Sequence, residues 1–188
     1  MPTTSHDARL TYHDFVLLPD DGRRHEIIDG AHYVTPSPNV SHQELVLRLA
    51  LALGHHLEDR VERGRLFVAP LDVVFSFHDI VEPDLIFVAP DQLDILTDRN
   101  IQGAPALVIE ILSPSTRKRD QGVKRRLYDR SGVREYWLVD SAAASVTILR
   151  RHPDGSLRTF SPLTAMERDM LRTPLLPGWS LALARLFR

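Results

Sequence analysis

The stretch PALVIEILSPS, residues 105–115, holds one carboxylate, Glu110, inside an otherwise apolar run. All positions from 107 to 112 except 110 carry aliphatic side chains, and a short run of this kind between prolines is typical of a buried strand. A buried charge costs several kcal/mol unless another group pairs with it. We therefore expect Glu110 to meet a partner from elsewhere in the chain, either in a structural ion pair or in a functional site.

Turn signals divide the rest of the chain into further strands and helices. HEIIDGAHYV, residues 25–34, predicts an N-terminal hairpin around Asp29-Gly30. A short helix is predicted within TYHDFVLLPDDGRRH (11–25), ending at the turn from Pro19 to Gly22. Two longer helices are predicted, one from Ser41 to near Gly64 and one that Asp120 caps and that ends near Gly132. RLFVAPLDVVFS (65–76) predicts two strands broken near Pro70, DLIFVAP (84–90) a third and REYWLVD (134–140) another, and a second hairpin is predicted around Asp154-Gly155. Strands joined by both hairpins and helical crossovers indicate an α/β (α+β) fold, a mixed sheet flanked by helices.

Length and composition are those of an ordinary globular chain. A length of 188 residues suits one domain, 1–188, in which we expect the polar, unpatterned residues 1–10 to be frayed. The sequence contains no cysteine, which excludes disulfides, cysteine-based zinc sites and thiol nucleophiles. No stretch resembles a secretion signal or a membrane span, so we expect a cytoplasmic protein with no membrane partner.

Positive charge is concentrated in one segment. The formal net charge is -2, which argues against a protein that coats nucleic acid with its whole surface. Between residues 117 and 134, however, eight basic residues stand against two acidic ones. We expect this segment to contact nucleic-acid phosphates, and the candidate residues are Arg117, Lys118, Arg119 and Arg125.

A second carboxylate belongs with Glu110. Asp84 stands at the start of a predicted strand directly after Pro83, so two acidic side chains lie at or inside neighbouring strand candidates. If they converge, a hard cation such as Mg²⁺ is their natural partner, because it prefers oxygen ligands and keeps waters for a substrate phosphate. The alternative for Asp84 is an ordinary polar strand start after proline.

Several motifs together resemble a known family. They are EPDLIFV (82–88), PALVIEILSPST (105–116), the series Asp120, Lys124 and Tyr128 at four-residue spacing, and GVREYWLVD (132–140). This combination is similar to the Uma-two family of restriction endonucleases, within the PD-(D/E)XK nuclease superfamily. The resemblance covers roughly residues 11 to 187 and implies a restriction-endonuclease-like core.

The resemblance also implies a chemistry. Asp84 and Glu110 would hold Mg²⁺ or Mn²⁺, and the chain would be a metal-dependent endonuclease that hydrolyses DNA phosphodiester bonds, with a homodimer favoured if both strands are cut. Superfamily members carry a lysine two residues beyond the second acid, where this chain has Leu112. By position, Lys124 on the following helix would replace that lysine, and Glu26 would add a third catalytic carboxylate.

Each of these assignments has a simpler alternative. Lys124 would otherwise form a surface i,i+4 pair with Asp120, and Glu26 would be an exposed cross-strand partner in the hairpin. Leu112 favours a different function, in which a catalytically degenerate nuclease fold serves as a nucleic-acid-binding or regulatory module. A third alternative is a structural subunit whose basic helix docks on an acidic protein.

Overall fold

The computed structural model describes residues 9–58, 63–160 and 162–188. Most of the predicted frayed segment, residues 1–8, lies outside these ranges, as do residues 59–62, next to the predicted end of the long helix near Gly64. Leu10 donates its backbone N–H to the carbonyl of Gly30 at 2.9 Å. The described chain is therefore fixed from its first residues.

Helices and strands follow the predicted order, with additional short strands. The helices are α1 (Tyr12–Phe15), α2 (Val40–Glu58), α3 (Arg117–Arg119), α4 (Arg125–Ser131) and α5 (Leu183–Leu186), and a π-helical turn (Asp120–Lys124) joins α3 to α4. The strands are β1 (Arg24–Ile28), β2 (Ala31–Thr35), β3 (Arg65–Val68), β4 (Val73–Ser76), β5 (Asp79–Val81), β6 (Leu85–Val88), β7 (Ile101–Gln102), β8 (Leu107–Leu112), β9 (Glu135–Asp140), β10 (Ser145–Arg151), β11 (Leu157–Thr159), β12 (Leu163–Thr164), β13 (Met170–Leu171) and β14 (Leu181–Ala182). None of the described helices has the length and apolar character needed to cross a membrane.

The strands form two large mixed sheets, where the sequence indicated one. A seven-stranded sheet has the order β11-β10-β9-β8-β6-β3, with β12 also paired to β10. A five-stranded sheet has the order β2-β1-β5-β4-β7 and contains the N-terminal hairpin. In the larger sheet β8 and β9 are parallel, because the helical segment from α3 to α4 crosses between them, and the other pairs are antiparallel.

The first hairpin turns where the sequence predicts. Asp29 and Gly30 both have positive φ, 54° and 79°, as a two-residue turn between antiparallel strands requires. Alternation along β1 then places Arg24 and Glu26 on one face of the strand. Glu26 is 1% exposed, so this face of the hairpin is covered by other parts of the protein.

Strand β8 lies between two apolar clusters. Leu107, Ile109 and Ile111 belong to the cluster that includes α2 and the C-terminal segment. Val108 and Leu112 belong to the other, which contains side chains of the five-stranded sheet and of α4. The expected alternation is confirmed, and it places Glu110 on the side of Val108 and Leu112.

The crossover helix begins earlier than the sequence suggests. Its first segment starts at Arg117, after a turn in which Ser113 and Thr116 exchange backbone-to-side-chain hydrogen bonds. The predicted N-cap role of Asp120 is therefore wrong, since that residue lies inside the helical segment. The helix ends as predicted at Gly132, whose φ of 90° is the left-handed conformation that favours glycine.

Candidate active site

A buried ammonium group lies between two carboxylates. Lys124 Nζ donates to Glu110 Oε1 at 2.7 Å and lies 2.6 Å from Glu26 Oε1. All three side chains are almost fully buried, with 1–4% of each exposed. Tyr128 donates its hydroxyl to the same Oε1 of Glu110, also at 2.7 Å. The partner that Glu110 requires is thus a lysine and a tyrosine from the crossover helix.

Asp84 is held on three sides. Its Oδ1 accepts a hydrogen bond from Arg24 Nη1 at 2.7 Å and lies 3.1 Å from His42 Nε2, and its Oδ2 accepts from the backbone N–H of Ile111 at 2.8 Å. Arg24 comes from β1, His42 from the first turns of α2, and Ile111 from β8. Three separate elements therefore fix this carboxylate.

Strand register brings the two acids to one place. Leu85 pairs with Ile109 in the antiparallel β6–β8 ladder, and continuing that register puts Asp84 opposite Glu110 on the same face. Both acids line a cavity of about 170 Å³, which we call the site cavity. Its charged and histidine lining residues are Arg24, His42, Asp84, Glu110, Arg119, Asp120 and Lys124.

Burial and charge set the protonation of these groups. Burial raises the pKa of Glu110 to about 8, in spite of the neighbouring ammonium. Burial would lower the pKa of Lys124, but Glu110 and Glu26 outweigh it and raise the pKa above its ordinary value. Burial would raise the pKa of Asp84, but His42 and Arg24 lower it to about 2. At neutral pH the site thus holds a charged lysine and an ionised Asp84, and Glu110 takes up a proton more readily than an exposed glutamate does.

The family model described as "Putative restriction endonuclease", Uma2, matches residues 12–184. This chain belongs to the Uma2 family. The relatives include the "Uncharacterized protein slr1290" of Synechocystis, 29% identical over 136 residues, which make up 70% of this chain and 68% of that protein. A similar solved structure is a "putative nuclease belonging to DUF820" from Anabaena variabilis, with a TM-score of 0.76, 21% identity and coverage of 95% of this chain and 97% of that one. At this identity the likeness shows a shared fold.

In this Uma2 chain the predicted catalytic residues meet in one cluster. Lys124 contacts both Glu110 and Glu26, and Asp84 stands opposite Glu110. Leu112 is 6% exposed and packs in the apolar core. The surface i,i+4 pair that was the alternative for Lys124 does not describe a side chain with 3% exposure.

Asp84 and Glu110 offer oxygen ligands of the kind that a divalent cation prefers. Among residues 9–58, 63–160 and 162–188, no group of three or more histidine, aspartate or glutamate side chains is arranged to hold a metal ion. Mg²⁺, however, is commonly bound through one or two carboxylates together with waters and substrate phosphate. Asp84 and Glu110 face the same cavity, and a carboxylate has about four acceptor positions, of which the observed bonds fill only part. These two residues therefore fit a cation of that kind.

The candidate nucleic-acid-binding residues differ in their surroundings. Lys118 and Arg125 are exposed. Arg117 pairs with Asp140 at 2.6 Å and keeps 37% of its side chain exposed. Arg119 points inward instead: its side chain is 12% exposed, and it donates to the Thr35 hydroxyl at 2.5 Å.

Sequence reasoning missed several residues of this Uma2 site. Arg24 carries no signal in the sequence except strand alternation, which places it on the same face as Glu26. Tyr128 has only its four-residue spacing from Lys124 as a signal, because its bond to Glu110 depends on how the helix crosses β8. Asp120 is 1% exposed with no hydrogen-bond partner for Oδ1, and burial raises its pKa. The four-residue spacing of Asp120, Lys124 and Tyr128 was the signal that could have placed all three together.

Proposed function

We propose that this protein is a metal-dependent endonuclease that hydrolyses DNA phosphodiester bonds. One observation carries the proposal: the buried ammonium of Lys124 lies 2.7 Å from Glu110 and 2.6 Å from Glu26, and Lys124, Glu110 and Asp84 all line the site cavity. Membership of a family described as "Putative restriction endonuclease" supports it, and so does the likeness to a protein named a putative nuclease. Perturbed titratable groups gathered in a cleft are a general sign of catalytic function.

The proposed roles follow from charge and position. Asp84 and Glu110 would hold Mg²⁺ or Mn²⁺. When bound, such a cation supplies neutralisation of phosphate charge and a more acidic water molecule. Lys124 would donate a hydrogen bond to a phosphate oxygen, whose negative charge grows as water adds to phosphorus and the P–O bond to the leaving oxygen breaks. Glu26 would keep the ammonium in place from the opposite side.

Neighbouring side chains would position the two acids. Arg24 and His42 hold Asp84 ionised, ready to receive a cation. Tyr128 fixes Glu110 by a 2.7 Å hydrogen bond. Loss of any of these three side chains would impair the site even without contact to the substrate, because the carboxylate that it holds could then rotate out of alignment.

Exposed basic residues would bind the DNA backbone. Lys118 and Arg125 lie on the crossover segment that also carries Lys124, so they would guide phosphates toward the site with little reading of base sequence. If both strands of a DNA are cut, a homodimer with one site for each strand is the simplest arrangement. The lack of cysteine suits the cytoplasm, where we expect the substrate DNA to lie.

The experiment is cleavage of supercoiled plasmid with Mg²⁺ or Mn²⁺. We expect nicked or linear product from the wild-type protein and none from Asp84→Asn or Glu110→Gln, which keep the side-chain shape but cannot supply the carboxylate that would hold a cation. Asp91→Asn and Glu44→Gln are matched controls at exposed positions and should cleave like the wild type. Equal cleavage by all four variants would contradict the proposed site.

A second candidate function is a nucleic-acid-binding or regulatory module with no turnover. The observation that favours it is the apolar Leu112 at the position of the superfamily lysine, together with the two basic groups already bonded to Asp84. Calorimetric titration with Mg²⁺ separates the two functions, with and without an oligonucleotide. If the protein is a nuclease, Mg²⁺ binding should give a measurable heat in the wild type and none in Asp84→Asn. If the site is degenerate, the wild type should give no heat of binding either.

A further inference from the structure

A larger cavity adjoins the site cavity. Its volume is about 710 Å³, and we call it the side cavity. The two share Arg24, His42 and Asp84 as well as the segment from Thr35 to Pro38. Asp84 therefore borders both cavities, so a substrate whose reacting group lies at Asp84 has the side cavity directly beside it.

The side cavity combines an apolar wall with charged groups. Its apolar lining includes Phe15, Val16, Leu18, Val46 and Leu71. Its volume falls in the range of about 300–1,000 Å³ that is typical of pockets for compact organic ligands. Flat, largely apolar rings suit such a wall better than the polar outer surface of a phosphate backbone does.

We propose that the side cavity receives unpaired nucleotides, so that the substrate is single-stranded DNA or DNA with unpaired bases beside the scissile phosphate. The proposal rests on the function proposed above and names its substrate class. In a duplex the bases are stacked and paired inside the helix, so they cannot enter a side pocket unless they are extruded. Bases of a single strand are free to do so.

Phe15 is the aromatic group against which a base would stack. It is the last residue of α1, and that short helix is firmly held: Thr11 and Asp14 cap it, and Tyr12 donates its backbone N–H to the carbonyl of Phe77 at 2.8 Å. The Tyr12 hydroxyl also accepts a hydrogen bond from Asn100 at 3.0 Å. The Phe15 ring stacks on the ring of Tyr12, with centroids 6.3 Å apart, so the helix and one neighbour of the ring are in place before the ligand arrives, which lowers the entropy lost on binding.

Charged groups of the side cavity match the polar parts of a nucleotide. Arg23 and Arg99 are exposed at its lining and would meet the phosphates on either side of an inserted base. Asp72 and Glu82 also line the cavity, and carboxyl groups there can bond the amino groups on a base edge. A stacked ring, flanking cations and edge-binding carboxyls together form a nucleotide site.

The test measures binding separately from cleavage. Fluorescein-labelled oligonucleotides are titrated with the wild-type protein in EDTA, and anisotropy compares one single strand with the duplex of the same sequence. We expect the single strand to bind at least about tenfold more tightly. Phe15→Ala should weaken single-strand binding by about five- to 100-fold, the usual effect of losing one base-stacking ring, with duplex binding unchanged. Phe160→Ala is the matched control, because Phe160 is half-exposed and does not line this cavity.

Each outcome decides one point. Equal affinity for single strand and duplex would overturn the proposal, and so would a Phe15→Ala effect no larger than that of Phe160→Ala. Circular dichroism of both variants verifies that they are folded. Because binding is measured without a metal, a protein that prefers single strands but never cleaves them would contradict the proposed nuclease activity while leaving this site supported. A protein that cleaves DNA but binds single strands and duplexes equally well would support the nuclease activity and contradict the proposed nucleotide site.

Discussion

Replacing Lys124 by methionine would leave two buried carboxyl groups without their shared cation. The change removes the contacts of 2.6 Å to Glu26 and 2.7 Å to Glu110, and removing one partner of a buried ion pair costs about 3–5 kcal/mol. Two features place the expected loss of stability near the lower end of this range. Burial already favours a proton on Glu110, and Arg119 remains 3.5 Å from Glu26. Methionine matches the lysine stem in length, so little empty volume is created.

We therefore expect Lys124→Met to lower the free energy of unfolding by about 3 kcal/mol at pH 7.5. Urea denaturation followed by far-ultraviolet circular dichroism measures this, and at a slope of about 1–3 kcal/mol per molar urea the midpoint falls by about 1–3 M. Lys118→Met is the control, because it removes an exposed lysine of the same helical segment and should change stability by less than about 0.5 kcal/mol. A loss below about 1 kcal/mol for Lys124→Met would refute a buried ammonium between two carboxylates.

Three further predictions concern Glu110, its hydrogen bond with Tyr128, and the exposed basic residues of the crossover segment. The pKa of Glu110 is about 8 in the folded protein and 4.5 ordinarily, so unfolding releases a proton between these two pH values. The free energy of unfolding should therefore fall by up to about 1.4 kcal/mol per pH unit as the pH rises through this window. Urea denaturation of Glu110→Gln should show a flatter dependence on pH. Tyr128→Phe removes one buried hydrogen bond and should cost about 0.5–1.5 kcal/mol in denaturation experiments, where no loss would contradict the bond. Lys118→Ala and Arg125→Ala should each reduce the salt dependence of DNA binding by about one unit of slope, measured by anisotropy at several salt concentrations, whereas an unchanged slope would place the DNA elsewhere.

Local signals predicted the fold well where neighbours in sequence decide the structure. The Asp29-Gly30 turn and the alternating faces of β8 depend on a few adjacent residues, and both are as the sequence predicts. The second sheet was missed because it depends on short strands: β5 has three residues and β7 only two, so no periodicity can reveal them. β5 forms a local hairpin with β4, but the pairing of β5 with β1 and of β7 with β4 joins distant parts of the chain.

The sequence names most residues of the buried cluster but predicts only part of their arrangement. The pairing of Asp84 with Glu110 follows from two adjacent buried strands, and it needs only the assumption that those strands are neighbours. The place of Asp120 could not be found in this way, because residues with N-cap preference look the same in sequence whether they begin a helix or lie within it. Arg119 shows the same limit, since a basic residue in a basic segment turns inward only because Glu26 lies behind it.

Topology explains why the lysine of this site can come from a helix. A lysine at position 112 would lie on the same face as Glu110, two residues along the strand. A crossover between parallel strands must pack its helix on one face of the sheet, and here the segment that joins β8 to β9 covers the face of Glu110. The wide π-helical turn ends at Lys124, and wide turns of this kind often occur at functional sites. With the ammonium supplied from above, Leu112 is free to be apolar, and it packs in the same cluster as Leu127 and Tyr128. The proposed chemistry requires a cationic side chain beside Glu110, and in this fold that side chain can come either from the strand itself or from the helix that covers it.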